Sequence, residues 1–256
     1  TVGQGKDVHV VMVMNEAFSD LTDSPAFDYG EEDDPLSNLH ALEADPHALS
    51  GHLVVPGFAG GTANTEFDVL TGIQTNALSA STTSSFRVVN RNLESLFRVF
   101  DADGYATSFF HPGDDWFYNR ENVNQYLGFE DYYYVENHYG QFTDGDVALD
   151  DVLFPEIIQF YEQNKEETGK PYFSFNVSYQ GHGPYDDSQY WWGEKGTYIV
   201  DDGTLPDASQ CILENYLGSI YNTNQNLEAF FDYFRQSDDP TVIVLFGDHK
   251  PWLGDD

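Results

Sequence analysis

Five short stretches place chemically active side chains where an apolar run ends or a glycine turn begins. Glu16 closes "HVVMVMNE", Thr62 follows two glycines in "GGTANTEFDVLTG", and His111 closes "YATSFFH". His182 lies between glycines in "QGHGPY", and Asp248–His249 close "VIVLFGDH". Two carboxylates, an imidazole and a threonine oxygen form a mixed oxygen and nitrogen ligand set for one divalent cation. Mn2+, Zn2+ and Mg2+ suit such a set better than a metal that prefers thiolates. A threonine hydroxyl is a poor nucleophile at neutral pH, and coordination makes its alkoxide accessible. A helix starting after Gly60–Gly61 would stabilise the negative charge of a bound phosphate. His111, Arg120 and His182 remain as donors to an anionic group. The chemistry open to this set is phosphoryl-type transfer through a covalent phospho-threonine.

Each residue alone has a plainer reading. Glu16 reads as a loop acid or helix cap, and Thr62 as an N-cap. His182 gains interest only because flanking glycines let backbone approach a ligand. Asp248 and His249 both face a cation if the chain kinks, and Gly247 is expected to permit that kink. His9, His40, His47, His52 and His138 lack comparable surroundings and read as structural or surface residues. What joins the five stretches is their position. In open α/β sheets ligands sit beyond the carboxyl ends of the strands, and these groups sit at such ends.

The elements that must position them alternate strand and helix. Buried strands are expected over 9–18, 51–58, 106–110, 172–179 and 240–252, the last being the most hydrophobic. Helices are expected near "LSNLHALEA", over "TANTEFDVLTGI" with Phe67, Leu70 and Ile73 on one face, and over 92–105 up to Gly104. Further helices fit "NRENVNQYLGF", 154–170 and 212–236, with Leu213, Leu217, Ile220 and Leu227 along one side of the last. The fold class is α/β, a mainly parallel sheet sandwiched by helices. "DYYYVENHYGQF" and "DSQYWWGEKGTYIV" read as aromatic-rich insertions outside the sheet, the second as a surface flap or a sugar-stacking surface around Trp191 and Trp192.

Composition narrows the class. Residues 1–256 read as one domain, with 44 acidic against 10 basic residues and a net charge of −34. That surface repels nucleic acid and anionic membranes at long range, so nucleic acid is excluded as a partner. The single cysteine, Cys211, rules out an intrachain disulfide framework and reads as a partly buried helical residue. No stretch is long and apolar enough to span a bilayer, and the first residues do not form a signal peptide.

Taken in order, the motifs resemble the lipoteichoic acid synthase group of phosphoglycerol transferases, within the sulfatase and alkaline phosphatase superfamily. "NEAFSD" resembles the metal-binding glutamate segment, and "GGTANTEFDVLTG" the nucleophile segment with its Ser/Thr–Glu–Phe element. "FFHPGDDWFYNRENVNQYLGF" resembles the segment that grips glycerophosphate, "FNVSYQGHGPY" a further substrate-histidine segment, and "VIVLFGDHKP" the terminal Asp-His pair. The resemblance implies that Glu16, Thr62, Asp248 and His249 hold the metal, with Mn2+ ahead of Mg2+ or Zn2+. It implies that Thr62 is the nucleophile and Thr65 a supporting hydroxyl. His111, Tyr118, Arg120 and His182 would bind the phosphoglycerol head, Tyr118 standing where family members carry tryptophan.

The implied donor is an anionic, phosphatidylglycerol-like lipid, and the implied acceptor a glycerophosphate polymer or glycan. The implied location is the extracellular face of a bacterial cell membrane, reached through an upstream segment. The chain reads as a catalytic ectodomain lacking its C-terminal portion. Two other functions fit the same residues: a phosphodiesterase or phosphatase that releases to water, and a non-catalytic glycan-binding module. A formylglycine sulfatase does not fit, because "ILENY" after Cys211 lacks the Pro and Arg that such a site needs.

Overall fold

The computed structural model describes residues 8–22, 24, 34–78, 84–199 and 205–254. Residues 1–7, and with them part of the leader region read above, lie outside the described residues. Five parallel strands form one sheet in the order β3-β2-β4-β1-β5. They are β1 (His9–Asn15), β2 (Ala106–Phe110), β3 (Asp131–Tyr133), β4 (Tyr172–Val177) and β5 (Thr241–Gly247). β1 pairs with β4 and β5, Met12 lying opposite Phe175 on one side and Val244 on the other. A strand paired on both sides and covered on both faces needs apolar side chains at almost every position, which explains its unbroken hydrophobic run.

Alternate residues feed two cores. Met14, Phe109, Phe173 and Phe175 pack with Phe67, Leu70, Phe97, Val123 and Leu127. Those partners come from α2 (Thr62–Thr71), α3 (Leu96–Ala102) and α4 (Arg120–Leu127). Val11, Val13 and Phe110 face the other way, against Leu153, Phe154, Ile157, Leu227 and Phe230. These belong to α5 (Asp150–Glu167) and α6 (Asp207–Gln236). A third cluster joins Leu36, before α1 (Ser37–Glu43), to Leu213, Leu217 and Ile220 of α6.

Several expectations change. Residues 51–58 form no strand: Leu53 and Val54 are exposed and the segment crosses the surface into the glycine turn. A short apolar run followed by Pro56–Gly57 has no neighbour to pair with there, and unpaired extended chain is not a strand. "DYY" of the aromatic insertion is instead the edge strand β3, paired with β2 from Ser108↔Asp131 to Phe110↔Tyr133. β5, read as the most hydrophobic strand, is an edge among the described residues, with Val242 and Val244 exposed. α3 starts at Leu96 because Ser95 caps it, its hydroxyl accepting from the Arg98 N–H. Ile73 falls beyond the left-handed Gly72 that ends α2 and is exposed. The flap over 186–199 packs on α6, where buried Glu214 accepts from the N–H groups of Gly196, Tyr198 and Ile199. Cys211 is buried in α6.

Candidate active site

Because every strand is parallel, the carboxyl ends of β1, β2, β4 and β5 reach one edge. Glu16 and Asp248 are the first residues beyond the paired β1 and β5, and Asn15 lies opposite Gly247 in their register. The ligand atoms of Glu16, Asp248 and His249 lie within 4.8 Å of one another, and all three residues are buried. His249 Nε2 stands 3.1 Å from Glu16 Oε1 and 3.3 Å from Asp248 Oδ2. Thr62 Oγ1 donates to Glu16 Oε2 at 3.1 Å. Residues 46 and more than 180 positions apart therefore meet at one point.

Local backbone explains how each side chain arrives. Gly60 and Gly61 have φ of 135° and 94°, and Gly61 is the cap position of α2. Thr62 is thus the first helical residue, not the cap, and its hydroxyl is turned to Glu16 instead of to its own helix. A Cβ on Gly57 would fall 2.5 Å from the Gly60 carbonyl, so this turn also needs glycine for close approach. The Ala59 N–H donates to the Lys250 carbonyl at 3.0 Å, tying the turn to the segment that carries His249. Gly247 does not supply the expected kink; its φ is not in the left-handed region. It is needed because a Cβ would overlap the carbonyl oxygen of Phe18.

A surrounding shell holds the trio. Asp248 Oδ1 accepts from the N–H groups of Ala17 at 2.8 Å and His249 at 2.7 Å. Thr65 Oγ1 donates to the Asp248 carbonyl at 2.7 Å, one turn along α2 from Thr62. Ser178 Oγ accepts from the Glu16 N–H at 2.9 Å. His249 Nδ1 donates to the Lys250 carbonyl at 3.0 Å, which leaves Nε2 facing the carboxylates.

The electrostatics suit a cation. Burial, then the neighbouring Glu16 charge, push Asp248 up to about 7. Burial opposes charge on His249, but the Glu16 hydrogen bond and both carboxylates raise it to about 9. Two buried carboxylates this close repel each other, and the His249 proton is the nearest positive charge that relieves them. Asp248 Oδ2 is buried without a hydrogen-bond partner. A buried carboxylate oxygen that makes no well-aligned hydrogen bond, beside an imidazole nitrogen and a threonine oxygen, suits a divalent cation. The residues present fit the group.

A cavity of about 460 Å³ opens over this cluster, lined by Glu16, Thr62, Tyr118, His182, His249 and Trp252 among others. A larger depression of about 550 Å³ around His138 and Gly145 contains none of these groups. His182 is exposed, and its Nδ1 donates to the Gly183 carbonyl at 2.5 Å. Tyr118 and Asn119 have φ of 58° and 63°, a rare left-handed pair that turns the chain sharply just ahead of α4. The Tyr118 ring lies 5.2 Å from the Arg120 guanidinium carbon.

His111 and Arg120, read as binding the phosphoglycerol head, are both buried and are not among the residues that line this cavity. Burial, then the Arg120 charge, hold His111 well below its usual pKa, so its ring is neutral. Its Nδ1 donates to the Val177 carbonyl at 3.2 Å. Arg120 is paired with Glu66, Nη2 to Oε1 at 2.5 Å, while its Nη1 is buried without a partner.

Sequence reasoning gave no role to Glu66, Ser178 or Tyr179. Glu66 was findable: it stands four residues after Thr62, hence on the same helix face, with Ala63 and Leu70 a turn away on either side. A buried acid there demands a cation, and α4 supplies Arg120. Ser178 had no signal, because serine after a strand is ordinary.

A parallel sheet that gathers a Glu/Asp/His trio and a helix-initial threonine at one edge defines an alkaline phosphatase-like catalytic fold. The sulfatase family model matches residues 8–256, and the chain belongs to that family. A protein of Rhizobium meliloti (strain 1021) named for cyclic beta-1,2-glucan modification is 33% identical over 253 residues, covering 99% of this chain and 37% of its own. The chain therefore spans little more than a third of that relative. The phosphoglycerol transferase GacH of Streptococcus pyogenes, solved with sn-glycerol-1-phosphate, superposes with a TM-score of 0.79 at 20% identity. That match covers 97% of this chain and 63% of GacH. The lipoteichoic acid synthase LtaP of Listeria monocytogenes gives 0.76 at 21% identity, over 96% of this chain and 57% of LtaP. At such identities these structures establish the shared fold.

Proposed function

We propose that the protein is a metal-dependent phosphoglycerol transferase acting outside the cell membrane. Its donor is an anionic, phosphatidylglycerol-like lipid, and its acceptor a glycerophosphate polymer or a glycan. The observation that carries this reading is the Thr62 hydroxyl, hydrogen-bonded at 3.1 Å to a carboxylate of the buried Glu16/Asp248/His249 trio. The relatedness to a protein named for glucan modification supports the glycan acceptor.

Glu16, Thr62, Asp248 and His249 would hold one divalent cation, Mn2+ being preferred to Mg2+ or Zn2+. Bound there, it would lower the pKa of the Thr62 hydroxyl and offset charge on the phosphoryl oxygens. Thr62 Oγ attacks phosphorus, the bond to the diacylglycerol oxygen breaks, and glycerophosphate remains esterified to Thr62. The Thr62 proton leaves toward Glu16 Oε2, the acceptor already in place. His182, exposed at the cavity mouth, delivers a proton to the departing oxygen. An acceptor hydroxyl then attacks the same phosphorus, its proton passing to the now neutral His182, while the bond to Thr62 Oγ breaks and Thr62 regains its proton from Glu16. The α2 N-terminus faces this point and favours the negative charge that develops. Tyr118, which lines the cavity, supplies a donor to the glycerophosphate head, and the buried Arg120 stands behind its ring, the guanidinium carbon 5.2 Å from the ring centroid.

Thr62→Ala should abolish diacylglycerol release while the circular dichroism spectrum and melting curve stay those of the wild type. Full release by this variant would remove Thr62 as the nucleophile. Comparing free glycerophosphate with glycerophosphate on an added glucan oligosaccharide separates transfer from release to water.

A further inference from the structure

We infer that Tyr179 is a positioning residue that holds the exposed His182 imidazole ready over the cavity. This rests on the phosphoglycerol-transferase reading for what His182 does, but not for how it is held. The backbone of the loop is fixed from beneath. Ser178 N–H donates to the Met14 carbonyl at 3.0 Å, and Ser178 Oγ accepts from the Glu16 N–H. Gly181, with φ of 91°, lies so close that a Cβ would come 2.6 Å from the Glu16 carbonyl. Tyr185 OH donates to the Gly181 carbonyl at 2.6 Å. These contacts set where the His182 Cα sits relative to the trio. They do not set its ring.

The ring is set by Tyr179 together with the Nδ1 hydrogen bond to the Gly183 carbonyl. The two rings stack with centroids 5.0 Å apart and planes 12° apart. The His182 N–H donates to the Tyr179 carbonyl at 3.2 Å, so the two residues form one tight turn. Tyr179 is in turn held on its inner side. Its centroid lies 6.2 Å from that of His111, and Gly113 packs so closely that a Cβ there would come 3.1 Å from Tyr179 Cδ2. A half-buried ring thus backs an exposed one. With Nδ1 committed to the Gly183 carbonyl, the stacked imidazole leaves Nε2 as the atom free for substrate. A solvent-exposed histidine without such backing would sample several rotamers and lose that freedom on each binding event.

The test is a double-mutant cycle on phosphatidylglycerol turnover, paired with a direct measurement of the ring. Tyr179→Leu should lower kcat about three- to tenfold with KM within about twofold, the scale of immobilising one side chain that acts in the chemical step. Tyr179→Phe, which keeps the ring, should restore kcat. In a His182→Ala background, Tyr179→Leu should cost nothing more, because the residue it acts through is gone. Additive costs would overturn the inference. In NMR spectra, the His182 ring protons should be shifted upfield in wild type and Tyr179→Phe, and move to exposed-histidine values in a Tyr179→Leu protein whose melting transition remains cooperative. Unmoved signals would overturn it equally. Absence of wild-type turnover would instead strike the transferase reading, and the NMR comparison would still decide the stacking.

Discussion

The Glu66–Arg120 pair gives the most demanding energetic prediction. Both side chains are essentially sealed from water, at 0% and 1% exposure, and Nε and Nη2 of Arg120 reach Glu66 Oε1 at 3.1 and 2.5 Å. Burial works against the Arg120 charge, yet the Glu66 carboxylate more than offsets this and raises its pKa. Glu66→Ala removes the partner, and a guanidinium cannot escape by losing its proton. The buried charge is then uncompensated, at a cost of about 3–5 kcal/mol. Domains are commonly stable by only about 5–15 kcal/mol, so this is a large share. For a chain of this size it corresponds to a fall in Tm of roughly 6–20 °C. Replacing both partners, as Glu66→Leu with Arg120→Met, should recover most of that stability, because no charge is stranded. Urea denaturation of the wild type, both single variants and the double variant measures this. A loss below about 1 kcal/mol for Glu66→Ala, or a double variant as unstable as the two single losses summed, would refute the reasoning.

Two further predictions concern Asp150 and Gly247. Burial pushes Asp150 up to about 7, while the Thr223 hydroxyl, donating at 2.6 Å, opposes this and Asp151 adds to it. The folded state therefore binds its proton more tightly than the unfolded state. That stability is fully present below about pH 4 and is lost as pH rises to about 7, on the order of 4 kcal/mol in total. Asp150→Asn should flatten this slope in urea midpoints between pH 4 and 8; an unchanged slope would clear Asp150. Gly247→Ala forces a methyl against the Phe18 carbonyl and must displace the adjoining Asp248. Calorimetry should show Mn2+ affinity falling by about tenfold or more, and an unaltered affinity would mean that the strand end yields without moving its ligand.

Much of the site was legible because its residues end buried strands. The apolar runs of β1, β4 and β5 announced a parallel sheet, and parallel strands must present their last residues together. Glu16, Thr62, Asp248 and His249 meet for that reason, although the segment at 51–58 delivers Thr62 as surface chain and not as a strand. Relations across the fold were not legible. β3 hides in a tyrosine run, since three residues at a sheet edge leave no periodicity to read. Glu66 and Arg120 are 54 positions apart, so nothing local marks them as partners. Gly247 was read as a hinge when its use is contact with Phe18, which depends on where another strand's loop passes. The position of His111 behind the cavity follows from burial among β2, β4 and Arg120, again a tertiary fact.

The central claim is that one cation joins groups from both ends of the chain to the Thr62 oxygen. Anomalous diffraction from crystals grown with Mn2+ tests it most directly. A single strong peak within bonding distance of Glu16, Thr62, Asp248 and His249 is the predicted result. A peak that leaves Thr62 outside the coordination sphere, or none at that point, would contradict it.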